Sequence, residues 1–244
     1  MLAVALNYAG GTGNNDYGLI LSRYFSDFKV IKIIPYQEPD KGELQLCQPI
    51  EYPELIKNIQ QSWDPSQRLL ELRGIKSKLQ RAVRQMCFFD AEKKFTRVFL
   101  DGSDGIDDFP WALQMVIIEP SAELDQCHDL VKQADVLVLN NWEPEASQSF
   151  VARVKEIQPR VPIFTEVLQE SLSTELKDRL TELFTEYLEK RSSIKRALDD
   201  IPKKEITCQQ AYKMAAKLKA DLYLFGNVCD EYGYSITRCR LGCF

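Results

Sequence analysis

One histidine, His128, serves a chain of 244 residues. A Ser-His-Asp hydrolase or a multi-histidine metal site therefore has almost nothing to work with. No apolar run approaches the roughly 20 residues needed to span a bilayer. The start also lacks the basic flank and small-residue cleavage site of a secretory leader. The expectation is a cytoplasmic protein without membrane contact. Seven cysteines, an odd number, are spread from Cys47 to Cys243 without the density of a disulfide scaffold, so reduced thiols are the default. Excess positive charge is missing too: a net charge of −5 argues against coating nucleic acid, although a local patch remains open. There is no internal repeat and no low-complexity tract.

What is present is an alternation. Leu2–Leu6 reads as a strand, ends in a glycine loop, and is followed by helical spacing over Tyr17–Tyr24. Val30–Ile34 reads as a second strand, and residues 35–53 as a proline-rich loop. "PELIKNIQQSW" and "GIKSKLQRAVRQM" are helical in pattern, and Arg97–Leu100 reads as a strand. Three apolar runs follow, "LQMVIIE", "ADVLVLNN" and "VPIFTEV", separated by "ELDQCHDLVKQA" and "EASQSFVARVKEI", both helical in character. Short apolar strands alternating with helices predict an α/β, doubly wound, mostly parallel sheet. From Ser171 to Leu198, the spacing of Leu172, Leu176, Leu180, Leu183, Tyr187 and Leu188 predicts one amphipathic helix. "DDIPKKE" breaks that pattern, giving expected domains of 1–200 and 201–244. The second reads helix, turn, helix, then a short extended tail.

The loop "NYAGGTGNNDYG" has the glycines a phosphate-binding turn needs. Gly10, Gly11 and Gly13, with Thr12 between them, would let successive backbone N–H groups converge on phosphate oxygens ahead of a helix N-terminus. Such a loop normally carries Lys and then Ser or Thr. Here Asn14 and Asn15 stand there and offer neutral hydrogen bonds, while Asp16 would repel a bare phosphate or coordinate a metal. The alternative is a plain glycine turn between strand and helix. Later residues favour a nucleotide site. "VIIEPSAE" places Glu119 at the C-terminal end of a strand, where a carboxylate can hold magnesium or its water. "ADVLVLNNWE" places Asn140, Asn141 and Glu143 on one short loop, an amide and a carboxylate spaced to read a purine edge.

On these residues the sequence resembles the metallochaperone branch of the SIMIBI P-loop NTPases, GTPases that help install nickel or handle cobalamin and zinc. Glu119-Pro120-Ser121-Ala122 is similar to their Ile-Glu-x-Ser-Gly strand end, and Asn140-Asn141-Trp142-Glu143 to their Asn-Lys-x-Asp loop. "VKEIQPRVPIFTEV" is similar to the segment that follows. The resemblance spans roughly residues 1–167 and implies GTP or ATP with magnesium as ligand and a protein client or self-association as partner. The departures fall on the working residues: asparagine replaces lysine at 14 and 141, Ala122 replaces the switch glycine, and Glu143 is one methylene longer than aspartate. The resemblance therefore implies a degenerate, GTPase-like assembly factor with weak or no hydrolysis, a pseudo-GTPase. The family's Cys-x-Cys-Cys motif is absent, with Cys47 alone in a comparable region. Partition-type ATPases match less well, since their additional lysine would be Ala9. A tubulin-type loop resembles "GGTGNNDYG" locally but in the wrong chain order, and a dinucleotide fingerprint would need glycine at Asp16.

Other constellations stay open. An active but divergent NTPase would draw its missing cation from Lys29, Lys32 or a partner. "FLDGSDGIDDF" gathers Asp101, Asp104, Asp107 and Asp108, as a divalent-cation loop or as an acidic solvated turn. Cys127 and His128, adjacent on a helix, point apart and make no two-ligand clamp. Cys239 and Cys243, with Cys229 or Cys208, would suit a soft metal, or are small buried apolar residues. The C-terminal helix-turn-helix pattern raises the alternative of a DNA-binding regulator using Lys213 and Arg238. Such a module also docks on proteins.

Overall fold

In a computed structural model of the chain, the residues described are 2–10, 17–36, 69–75, 83, 96–102, 112–168 and 171–237. They fall in two compact units, Ala3–Leu176 and Lys177–Phe244. The first is built on β1 (Leu2–Ala9), β2 (Lys29–Tyr36), β3 (Leu69–Ile75), β4 (Arg97–Gly102), β5 (Leu113–Ile118), β6 (Val136–Asn140) and β7 (Ile163–Glu166). The strands stand in the order β3-β2-β4-β1-β5-β6-β7. The pairings β2–β3, β2–β4, β1–β5, β5–β6 and β6–β7 are parallel. This is the doubly wound, mostly parallel α/β sheet that the alternation predicts.

Parallel strands covered on both faces must be apolar on both. β1 has six consecutive buried residues, Leu2–Asn7, and all of β6 is buried. Helix α1 (Tyr17–Tyr24) buries Tyr17, Gly18, Leu21 and Ser22, one helical stripe. Its Gly18 lies against Val30 of β2 and Asp101 of β4. Beneath α1, Phe28 stacks on Phe99 at 4.5 Å, with Phe25 edge-on to both. On the other face, α2 (Leu124–Gln133) and α3 (Pro144–Ile157) cover β5 and β6. That cluster joins Val116, Ile118, Leu137 and Leu139 to Leu124, Cys127, Val131, Phe150 and Val154. Right-handed crossovers account for this division, because α1 leads from β1 toward β2 while α2 leads from β5 the opposite way.

Two expectations change. Gly74 and Ile75, read as the start of a helix, close strand β3, whose residues pair in register with β2 from Val30↔Leu69 to Tyr36↔Ile75. A ready strand edge outweighs the local helical spacing. The remainder of that segment lies outside the described residues except Val83, which is helical and buried, and "PELIKNIQQSW" lies outside them altogether. The amphipathic helix exists as α4 (Thr174–Asp199), but its buried stripe drifts from the expected one. Phe184, Arg191, Ile194 and Leu198 are buried, whereas Leu183 and Leu188 are half exposed. The compact units divide at Leu176/Lys177, within the first turn of α4. Ile194 and Leu198 share one core with Ile206, Ala211, Phe225, Val228 and Tyr234, so the end of α4 is part of the C-terminal unit.

In that unit, β8 (Glu205–Thr207) and β9 (Ser235–Thr237) pair in parallel around α5 (Cys208–Lys217) and α6 (Leu222–Glu231). Thr207 and Gln210 form a reciprocal capping box at the start of α5, the Thr-x-x-Gln pattern of "TCQQ". The helix-turn-helix order is present, but Leu224–Cys229 of α6 are six consecutive buried residues. A recognition helix must turn a face outward to reach base edges, and this stretch offers none.

Candidate functional site

In a parallel α/β sheet, ligands bind outside the C-terminal ends of the strands, where adjacent strands send their chains in opposite directions. Here that point is between β1 and β5. The loops leaving these strands meet: Glu119 donates its backbone N–H to Ala9 O at 2.9 Å. Gly10 has φ +76°, and a Cβ on it would lie 2.7 Å from the Ala122 nitrogen and 2.8 Å from Ser121 Oγ. Only glycine satisfies both the left-handed backbone and this contact. Gly10 thus turns the chain against the loop that carries Glu119.

Strand alternation then gathers side chains on the α1 face of this edge. Leu137 and Leu139 face α2 and α3, so Asn140 faces α1; by the same alternation Glu119 follows Met115 and Ile117 onto the α1 face, opposite Val116 and Ile118. Tyr17, the first residue of α1, is buried among them. Its hydroxyl donates to Glu119 Oε1, and Asn140 Nδ2 donates to both the Tyr17 hydroxyl and Glu119 Oε1, each at 2.8 Å. Asn140 Oδ1 accepts from the Leu168 N–H at 2.9 Å. On the other side of β1, the Tyr8 hydroxyl donates to Asp101 Oδ1, and Asp101 Oδ2 accepts from the Gly18 N–H at 2.9 Å. The rings of Tyr8 and Tyr17 lie 5.3 Å apart. Two tyrosines therefore bridge two carboxylates across the strand that leads into the glycine loop.

Asp101 corrects an expectation. It is not part of a solvated acidic turn: it is 2% exposed, and both its oxygens are engaged at the first turn of α1. A carboxylate at a helix N-terminus is stabilised by the helix dipole and the first unpaired amides, which is how this charge is tolerated inside. Asp104, Asp107 and Asp108 lie outside the described residues. Lys29 and Lys32, the candidate substitute cations, separate cleanly. Lys29 pairs with Val98 at the N-terminal end of β2, far from the site edge, while Lys32 is in register with Asp101. Val30 touches Gly18, so by alternation Lys32 points to the α1 side as well.

Of the four residues read as a base loop, Asn140 is fully buried with its amide engaged as above. Trp142 donates from Nε1 to Ile118 O at 2.8 Å and packs on Phe150 at 4.6 Å. Asn141 and Glu143 are exposed. Asn141 has φ +60° and donates its N–H to Glu166 O at 2.8 Å, which draws the end of β7 beside it. Gly11, Thr12, Gly13, Asn14, Asn15 and Asp16 lie outside the described residues, as do Cys239 and Cys243. Cys229 is buried, and burial pushes its thiol up to about 12, the wrong direction for a thiolate ligand. Cys127 is buried with a raised thiol pKa, chiefly from desolvation, while His128 faces outward beside Asp129. Among the described residues no cluster of three potential metal ligands occurs.

Sequence reasoning missed Tyr8 and Tyr17 and misplaced Asp101. The available signal was polar residues ending buried strands, Tyr8 after "LAVALN" and Asp101 after "RVFL", where an apolar residue would otherwise continue the pattern.

The topology defines a doubly wound, mostly parallel α/β protein with a switch point between β1 and β5. Two solved structures are similar to it. One is the hydrogenase maturation factor HypB from Archaeoglobus fulgidus, at 14% identity and TM-score 0.44 over 75% of this chain and 90% of that one. The other is the signal recognition particle 54 kDa protein from Aeropyrum pernix K1 in complex with GDP, at 14% identity and TM-score 0.40 over 89% of this chain and 57% of that one. No protein-family model and no curated protein matches the sequence. The functional case rests on the chain's own geometry.

Proposed function

We propose that this chain is a nucleotide-binding, GTPase-like assembly factor of the metallochaperone type whose hydrolysis is weak or lost. The observation that carries the reading is the packing of Gly10 against Ser121 and Ala122 at the switch point, with Glu119, Asn140 and Tyr17 on one face beside it. Phosphates would lie on the amides of residues 10–16 at the start of α1. The base would lie by the exposed Asn141 and Glu143, near Val167, an apolar residue left 42% exposed at the end of β7.

Magnesium suits this edge through oxygen donors. Glu119, part exposed, is the carboxylate placed to hold it or its water. Asp101, buried and with both oxygens engaged, serves α1 instead. The ion would neutralise phosphate charge that two nearby carboxylates otherwise repel. Weak turnover follows from what Asn14 and Asn15 lack, because the power of such sites lies in fixed positive charge on the transferring phosphoryl group. Lys32 supports a second reading, a divergent active enzyme, since it carries the cation on the correct face. The C-terminal unit is assigned to a protein client or self-association, and the protein to the cytoplasm. No helix among the described residues is long and apolar enough to cross a membrane.

Titration with GTP, ATP and GDP, each with and without magnesium, combined with phosphate release, tests this. Tight binding with negligible release is expected. Robust turnover supports the Lys32 reading, and no binding at all refutes both.

A further inference from the structure

Resting on that reading of the site, we infer that Asn140 holds the end of β6 in place and does not read the base, so that N7 of a bound purine takes no hydrogen bond from it. A side-chain amide offers two N–H donors and one carbonyl oxygen. Here both kinds are committed inside the protein. Nδ2 donates to the Tyr17 hydroxyl and to Glu119 Oε1, each at 2.8 Å, and Oδ1 accepts from the Leu168 N–H at 2.9 Å. The residue is 0% exposed.

The rest of the loop follows the same division. Trp142 also carries an N–H, and it too is turned inward, donating to Ile118 O at 2.8 Å with its ring packed on Phe150. Asn140 and Trp142 thus fasten the loop to the end of β5 at two points, through Glu119 and Ile118, while Asn141 and Glu143 are left exposed. The backbone of Asn140 is fixed as well, since it is the last residue of β6 and pairs with Glu166 of β7. Turning its amide outward to meet N7, an acceptor on the purine edge, would form one neutral hydrogen bond. It would break three, one of them to a carboxylate, and leave the buried Leu168 N–H without that acceptor. The exchange is unfavourable, so a bound base is met by the residues of this loop that already face outward.

The test compares the dissociation constants of GDP and 7-deaza-GDP, in which a C–H replaces N7, by calorimetry with magnesium. A donor from Asn140 to N7 would make GDP bind roughly fivefold to tenfold tighter, the worth of one hydrogen bond. Because the exposed Asn141 also carries an amide, the comparison is made both in the wild-type chain and in Asn141→Gly. That variant removes the second amide and suits the φ of +60° at this position. The two ligands should bind Asn141→Gly within twofold of each other, and a wild-type ratio already within twofold supports the inference without the variant. A preference for GDP above twofold that persists in Asn141→Gly overturns the inference and leaves the nucleotide site standing. A wild-type chain that binds neither ligand overturns the nucleotide reading along with it. The holding role has its own readout: Asn140→Ala removes the three hydrogen bonds and should lower the urea midpoint of unfolding, and an unchanged midpoint overturns that role.

Discussion

Gly18→Ala sets two effects of opposite sign against each other. Replacing a helical glycine with alanine stabilises an ordinary helix by up to about 1 kcal/mol. At position 18, the added Cβ would stand 2.7 Å from Val30 Cγ1 and 2.8 Å from Asp101 Oδ2, both well inside the 3.4 Å at which ordinary contact begins. Val30 is buried, so it has little room to move, and displacing buried groups by this much costs on the order of 1–3 kcal/mol. Moving the carboxylate also stretches the Gly18 N–H bond and disturbs the Tyr8 hydroxyl bond, and a charge-assisted hydrogen bond contributes roughly 1.5–3 kcal/mol. The losses outweigh the gain, and a net destabilisation of about 2–4 kcal/mol is expected. Urea unfolding followed by tryptophan fluorescence reads the right unit, because Trp63, Trp111 and Trp142 all precede residue 177. A variant as stable as the parent, or more so, would refute the tight packing of α1 on Asp101.

Further outcomes follow from the same geometry. Lys32→Ala should weaken GDP binding about tenfold by calorimetry, about 1.4 kcal/mol, while Lys29→Ala at the far end of β2 should leave it within twofold. In the C-terminal unit, buried Arg191 pairs with Glu231, and its Nη1 has no hydrogen-bond partner among the described residues. Arg191→Ala should cost about 3 kcal/mol by circular dichroism, and the double replacement Arg191→Met with Glu231→Leu should recover most of that loss. The Cys229 thiol is raised in the fold, from its ordinary 9.0 to about 12, by desolvation first and by Asp230 second. A raised pKa favours the neutral form in the fold, so this contribution is full below pH 9 and lost between pH 9 and about 12. Cys229→Ala should flatten the alkaline limb of the unit's stability curve, and an unchanged limb would contradict the assignment.

The fold was legible because the strands announce themselves. "ADVLVLNN" and "LQMVIIE" are buried on both faces and read as continuous apolar runs, and the Pro144 start and Phe150/Val154 spacing define α3 without help from the sheet. β3 was not legible, since "LLELRGI" becomes a strand through its pairing with β2 rather than through any pattern of its own. Glu119 and Asn140 were readable from the sequence as polar residues at strand ends. Their partnership with Tyr17 was not, because residues 17, 119 and 140 meet only once β1, β5 and β6 are adjacent. Asp101 shows the same limit: surrounded by acidic neighbours in sequence, it reads as solvated, and only the approach of Gly18 and Tyr8 explains its burial. Proline and charge in "DDIPKKE" mark the end of α4, while Ile194 and Leu198 of α4 share a core with Ile206, Phe225 and Val228, a partnership no local pattern announces.

The central claim is that the edge between β1 and β5 binds nucleotide and scarcely cleaves it. Calorimetric titration of GDP and GTP with magnesium, paired with phosphate release from the same samples, tests it most directly. The account predicts saturable binding of both, weakened by Gly10→Ala, with release close to the uncatalysed background. Saturable turnover of GTP would contradict the loss of hydrolysis, and heat traces flat for every nucleotide would contradict the site itself.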